Sequence, residues 1–469
     1  MQTRERNRKL TATAMLIGVA LLMAAGATAA DCPYERAGFV ADIPPGAHAV
    51  QGTATIIDDR TIHVDHFTYD GGAPAVYFYL GAENDYAAFA AGLQVAPHLD
   101  RAYSDESLTL TLPEGYTLDS YNAISVWCAE FAVNFSSGAF VEPLPGDCNC
   151  DRRVTYDDID AFVASMSGQS QYLGAYPNCR WLNGDVTGDG AVMYDDIDAF
   201  VEALTVAART RTVMLDFDGL EDLGDDYVYE GWLIIDGAPV SSGRFQIDAA
   251  GHPCPDAFRV VDANRAAMFV LTIEPAVDDL PTPADTHMLA GPFVGGTAAL
   301  GIGHPAALGD DFASATGAFI LATPSTGSID EDYDQGIWWV DPAAGMPSLD
   351  LPALPTGWAY EGWVVGLDGP ISTGRFLTPA GADSDAAGPF AGPDGSPPFP
   401  GQDFIDPAMS LLGYAAVISV EPEPDNSPAP FAIKPLVDTN IEDVPPPTLQ
   451  WMMNNAASAP TGTVTVVFD

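Results

Sequence analysis

The chain has 469 residues, 47% of them apolar, with 45 Gly, 39 Pro and a formal net charge of −48. That length predicts two to four domains, and Gly and Pro scattered between short Val/Ile/Thr runs predict a multidomain, mainly β protein. So negative a chain lacks the basic surface needed to neutralise nucleic-acid phosphates or to sit on anionic lipid, and suits a protein that collects cations.

Residues 1–30 read as an export signal. Arg4, Arg6, Arg8 and Lys9 precede the apolar stretch from Leu10 to Ala25, and Ala27-Thr28-Ala29 offers a cleavage site. A retained membrane anchor is the competing reading, disfavoured by the small residues that follow at once. Secreted, periplasmic or cell-surface location follows, and beyond the signal Lys434 is the single lysine. The six cysteines are Cys32, Cys128, Cys148, Cys150, Cys179 and Cys254, an even number that predicts disulfides outside the cytoplasm. Cys148 and Cys150 are too close to bridge each other comfortably. Cys179 lies between two Asp-rich loops and is a natural partner for one of them.

Residues 31–145 predict a small β-sandwich or barrel. Thr53–Ile57 and Thr61–Val64 form a hairpin about Asp58-Asp59-Arg60, Val76–Leu80 is a strongly apolar strand, and Leu108–Leu112 alternates with period two. Ile124–Cys128 and Phe131–Phe135 complete the pattern. Asp59-Arg60-Thr61-Ile62, Phe67-x-Tyr69-Asp70-Gly71, Val76-Tyr77-Phe78-x-Leu80-Gly81, Leu112-Pro113 and Ser125-Val126-Trp127-Cys128 resemble the extracellular DM-thirteen electron-transfer domain over residues 46–140. The resemblance implies a redox role for Cys128. The competing reading makes Cys128 a buried core residue or half of a disulfide with Cys32. A reactive thiol needs exposure and a lowered pKa, and neither Trp127 nor Glu130 is basic.

Residues 146–205 hold an internal repeat: Tyr156-Asp157-Asp158-Ile159-Asp160-Ala161-Phe162-Val163 recurs from Tyr194 to Val201. Each copy closes an Asp-rich loop. Asp147, Asn149, Asp151 and Asp158 occupy positions 1, 3, 5 and 12 of the first, and Asp185, Thr187, Asp189 and Asp196 those of the second. Alternate residues of a tight loop turn their oxygens inward, as Ca2+ requires, with position 7 adding a carbonyl from Arg153 or Ala191. Two amphipathic helices follow, with Ile159, Phe162, Val163 and Met166 on one stripe and Ile197, Phe200, Val201 and Leu204 on its match. The segment resembles a dockerin, a small α module with two calcium loops. The resemblance implies two Ca2+ ions and a cohesin-like protein or other cell-surface component as partner; an internal calcium-stiffened spacer is the alternative. Position 6 departs from the pattern in the first loop, where Arg152 stands for the usual Gly; Gly190 keeps it in the second.

Residues 206–332 and 333–469 predict two β-sandwich repeats. Tyr229-Glu230-Gly231-Trp232, Pro239, Ser241 and Gly243-Arg244-Phe245 recur at identical spacing as Tyr360-Glu361-Gly362-Trp363, Pro370, Ser372 and Gly374-Arg375-Phe376. Trp232 and Trp363 read as core, and Glu230–Arg244 and Glu361–Arg375 as cross-strand ion pairs. Each half resembles the outer domain of anti-sigma-K factors, which implies an extracytoplasmic β module. No H-E-x-x-H, G-x-S-x-G or phosphate-cradling Gly-Lys pair occurs. The sequence therefore predicts a non-enzymatic exported protein for attachment or assembly. The alternatives are a redox protein acting through Cys128 and a dockerin-targeted component of polysaccharide degradation.

Overall fold

The computed structural model describes residues 32, 34–95, 97–277, 280–326, 331–383, 399–424 and 427–467; the expected export signal at residues 1–30 lies outside the described residues. Among the described residues no helix is long and apolar enough to cross a membrane.

Period-two alternation builds the N-terminal unit from two antiparallel sheets. One runs in the order Val40–Ile43, Gln51–Ile56, Thr61–Tyr69, Tyr103–Thr111, the other Leu93–Val95, Val76–Gly81, Ala123–Cys128, Val133–Ala139. The expected hairpin closes with Thr55 opposite His63. Ile62, Val64, Phe67, Phe78, Leu110, Val126 and Cys128 fill the space between the sheets, because successive strand side chains point to opposite faces. The strand expected at Phe131–Phe135 begins only at Val133, and Phe131 is 65% exposed in the turn before it.

The middle unit is helical: Ile159–Ser165, Gln169–Ala175 and Asp196–Arg209. The two repeats meet where Phe162 stacks on Phe200, ring centroids 4.0 Å apart. The expected four-residue stripes are corrected here. Phe162, Phe200 and Leu204 are buried, but Ile159, Val163, Ile197 and Val201 are exposed. In their place the small Ala161 and Ser165 are buried, Ser165 against the turn Trp181–Gly184, whose Trp181 indole donates to its carbonyl at 2.9 Å.

Cys150 pairs with Cys179, within this unit, and Cys32 with Cys254, far away in the chain. The Cys32–Cys128 alternative is thereby removed: Cys128 and Cys148 are buried free thiols. The middle unit touches its neighbours through the Arg180–Asp42 ion pair at 3.2 Å and the Arg259 guanidinium donating to the Arg152 carbonyl at 3.1 Å.

The C-terminal repeats share one hydrophobic core and are not two sandwiches. The first builds a nine-stranded sheet in the order Pro253–Cys254, Ala238–Ile247, Tyr227–Ile235, Ala266–Pro275, His287–Val294, Thr297–Gly301, Thr461–Val467, Thr210–Asp218, Ala257–Val261. This sheet curls so far that a Cβ at Gly243 would lie 2.3 Å from the Phe258 ring of its last strand. Its seventh strand, Thr461–Val467, comes from the second repeat, so the sheet crosses the 332/333 boundary. In the second repeat Trp358–Gly366 pairs with Gly369–Phe376 in the register of the first. Trp232 faces Ser241 as Trp363 faces Ser372, with a bulge at the preceding glycine in both. Phe312 and Tyr360, ring centroids 6.4 Å apart, lie in the core common to both repeats.

The expected ion pairs form: Arg244 Nε lies 2.9 Å from Glu230, and Arg375 Nε 3.6 Å from Glu361. Each glutamate also accepts from the repeat serine, Ser241 or Ser372. Those contacts assign both glutamates to holding adjacent strands together.

Candidate functional site

Cys128 ends the strand Ala123–Cys128, opposite Val76 on one side and Val133 on the other. Its side chain enters the sandwich core and is fully buried, and the thiol donates to the Pro74 carbonyl at 3.1 Å. Tyr69, also in this core, is raised in pKa chiefly by burial, with smaller contributions from Asp70 and then Cys128. The Tyr69 hydroxyl is held on both sides by Ala73, donating to its carbonyl and accepting from its N–H, each at 3.0 Å. The site is a closed, unpaired thiol under the exposed Pro74 loop.

The neighbouring Trp127 points the other way. It lies on the outer face of the sheet, almost fully buried beneath the short helix Tyr86–Ala90, whose first turn Asp85 caps by accepting from the Ala88 N–H at 2.7 Å. Tyr86, Tyr79 and Phe89 surround it, with ring centroids at 5.2, 5.9 and 6.4 Å. Sequence reading missed this aromatic cluster. The alternation of Val76–Leu80 was its signal: with Phe78 inward, Tyr77 and Tyr79 belong to the outer face.

The two Asp-rich loops share a backbone. Positions 4 and 6 are left-handed in both, at Cys150 (φ 57) and Arg152 (φ 68) in the first and Gly188 (φ 76) and Gly190 (φ 89) in the second. Asp147, Asp158, Asp185 and Asp196 are all buried. In the first loop Asp147 accepts from the N–H groups of Asp151 and Arg152 at 3.1 and 2.9 Å. Asp158 accepts from those of Asn149 and Thr155 at 2.9 and 2.8 Å. The Asn149 side chain accepts from Asp151 N–H, and Asp151 from Arg153 N–H.

In the second loop Asp185 accepts from Gly188, Asp189 and Gly190. Asp196 accepts from Val186, Thr187 and Met193, and from the Thr187 hydroxyl at 3.0 Å. Asp189 accepts from Ala191 N–H at 2.9 Å.

The electrostatics of the loops differ. Burial, together with the charges of Asp158 and Asp151, pushes Asp147 up to about 6 against the pull of its N–H donors. Asp158 is raised as well, again mainly by burial. At Asp196 burial also opposes ionisation, but the donors from Met193, Thr187 and Val186 outweigh it and hold the carboxyl below its ordinary value. Among the described residues no three His, Cys, Asp or Glu side chains converge as metal ligands. The carboxyl oxygens are turned to the N–H groups of their own loops. An all-oxygen donor set with crowded, partly unrelieved negative charge nonetheless fits a hard divalent cation.

Comparison with known proteins matches two segments to families. Residues 43–140 match the family described as Electron transfer DM13, and residues 193–287 match Anti-sigma-K factor rskA, C-terminal. Two curated relatives are Protein Skeletor, isoforms B/C, and Protein Skeletor, isoforms D/E, of Drosophila melanogaster. Each is 45% identical over 93 residues, 19% of this chain. The chain covers 12% of the first relative and 6% of the second. No solved structure matches.

Proposed function

We propose that this is an exported protein whose N-terminal module works in electron transfer, with Cys128 as the group whose redox state matters. The family match over residues 43–140 supports this reading, together with a thiol that takes part in neither disulfide. The two disulfides favour an oxidising compartment. Full burial sets the mode of action: thiol–disulfide exchange needs an accessible thiolate, whereas electron passage through packed side chains does not. The test is protein-film voltammetry of the whole chain beside Cys128→Ala. A redox wave lost in the variant is the expected result; identical traces refute the reading.

A second reading, non-enzymatic attachment or assembly through the middle unit, is favoured by one observation. Tyr156, Ile159 and Val163 are exposed, and their repeat equivalents Tyr194, Ile197 and Val201 are exposed too. Two copies of one apolar row suit a partner surface of cohesin type. Asp147, Asn149, Asp151, the Arg153 carbonyl and Asp158 would hold one calcium ion, and Asp185, Thr187, Asp189, the Ala191 carbonyl and Asp196 a second. Bound calcium would supply positive charge that offsets the packed carboxylates. Calorimetric titration should register two ions, and Val163→Asp with Val201→Asp should abolish cohesin capture with the calcium heat unchanged. Absence of calcium heat removes this reading.

A further inference from the structure

The outer face of the sheet that carries Cys128 offers a route from solvent to the sulfur. Tyr86 is 59% exposed, its ring is 5.2 Å from that of Trp127, and Trp127 is itself only 2% exposed. Trp127 and Cys128 are consecutive residues of one strand, so a single peptide unit separates the buried indole on one face from the buried thiol on the other. Tyr79, 5.9 Å from Trp127, is fixed by its hydroxyl donating to Gln94 at 2.9 Å, and its phenol is raised in pKa by burial and by Tyr77. It therefore stays protonated beside the indole.

We propose that Tyr86 and Trp127 form an electron relay connecting Cys128 to a one-electron acceptor, such as a metal centre on a partner protein, that docks over the helix Tyr86–Ala90. The relay rests on the electron-transfer reading of Cys128. In the oxidising direction the acceptor takes one electron at Tyr86, whose exposed phenol gives its proton to water; Trp127 refills Tyr86, which takes a proton back from water, and the sulfur refills Trp127. The S–H bond breaks as its electron leaves, and the proton, held against the Pro74 carbonyl, passes to water at that exposed loop. The balance is thiol to thiyl radical plus one proton, with one electron delivered to the acceptor. Tyr86 and Trp127 end unchanged.

Photogenerated ruthenium(III) tris(bipyridine), a soluble one-electron oxidant, serves as the probe on the whole chain. Cys128 oxidation is read by mass spectrometry, and transient radicals are read by freeze-quench electron paramagnetic resonance. Tyr86→Leu replaces a largely exposed ring with an apolar side chain that cannot be oxidised. Trp127→Phe removes the oxidisable indole, and Trp127→Tyr restores an oxidisable ring at the same place. The expected result is a tenfold or greater slowing of Cys128 oxidation in Tyr86→Leu and Trp127→Phe, with recovery in Trp127→Tyr. Equal oxidation of Cys128 in wild type and Tyr86→Leu overturns the relay and leaves the electron-transfer reading standing. A Trp127 radical that forms in wild type while Cys128 stays reduced overturns both.

Discussion

Breaking the Cys150–Cys179 bridge should destabilise the middle unit as a whole. The bridge closes a sequence separation of 29 residues, and the chain-entropy relation assigns such a loop about 3.6 kcal/mol. Cys150 itself sits at φ 57 in the loop, a left-handed conformation that costs an L-residue roughly 1–2 kcal/mol. The second loop has Gly188 at the equivalent position, where that cost vanishes. Two double variants separate the contributions. Cys150→Ser with Cys179→Ser loses the bridge and keeps the backbone cost. Cys150→Gly with Cys179→Ser loses the bridge but sheds the cost, less roughly 0.4–1 kcal/mol for the freer unfolded chain, a net recovery of roughly 0.5–1 kcal/mol. Hydrogen exchange followed by mass spectrometry, on peptides covering Ile159–Ser165 and Asp196–Arg209, reads both. The Ser pair should speed exchange by roughly 400-fold, the equivalent of 3.6 kcal/mol, and the Gly pair should be several-fold slower than the Ser pair. Unchanged exchange in the Ser pair would refute the entropic argument. A Gly pair as fast as the Ser pair would refute the backbone argument.

Phe200→Ala removes one ring of the stack on Phe162 from a small core, and should cost the middle unit about 3 kcal/mol in thermal melting while both β units melt as before. Removing residues 461–469 takes the strand between Thr297–Gly301 and Thr210–Asp218, so amide protection should fall across the nine-stranded sheet, although the nearest of those neighbours is far away in the chain. Burial raises the Asp403 carboxyl above its ordinary value, even though it accepts from Ser325 N–H at 2.7 Å and Trp338 Nε1 at 3.0 Å. A raised pKa gives stability that is present below the unfolded value near 4 and is lost as pH rises through the folded value. The stability of wild type relative to Asp403→Asn should therefore decline with rising pH in denaturant titrations across that window; a difference that grows with pH would refute the assignment.

Local pattern made the strands legible, and chain-distant pairing hid their arrangement. Val76–Leu80 and Leu108–Leu112 show their strand character in a few residues, and the Glu-Gly-Trp repeats announced matched hairpins because the same turn and core residues recur at the same spacing. Nothing local marks Thr461–Val467 as the strand that completes a sheet begun at Thr210, nor Cys254 as the partner of Cys32 across a separation of 222 residues. The helix stripes were misread for a related reason. Ile159 and Val163 are apolar yet exposed, because the buried face of their helix is taken by Ala161, by Phe162 stacked on Phe200, and by Ser165 against Trp181, partners that lie elsewhere in the chain.

Arg152 shows how a departure from pattern is explained by surroundings that the sequence does not reveal. At loop position 6 it takes φ 68 where Gly190 takes φ 89, so the loop backbone is preserved at the expense of a left-handed arginine. Its guanidinium lies 5.2 Å from the centre of the Phe39 ring, in the N-terminal sandwich. Its carbonyl accepts from Arg259, in the curled C-terminal sheet. A cation over an aromatic face contributes roughly 0.5–1 kcal/mol at an exposed site, which offsets about half of the roughly 1–2 kcal/mol backbone cost. Glycine at this position could form the loop but could not reach Phe39. The first loop is thereby a joint between the two β units, while the second, with glycine at both left-handed positions, makes neither contact.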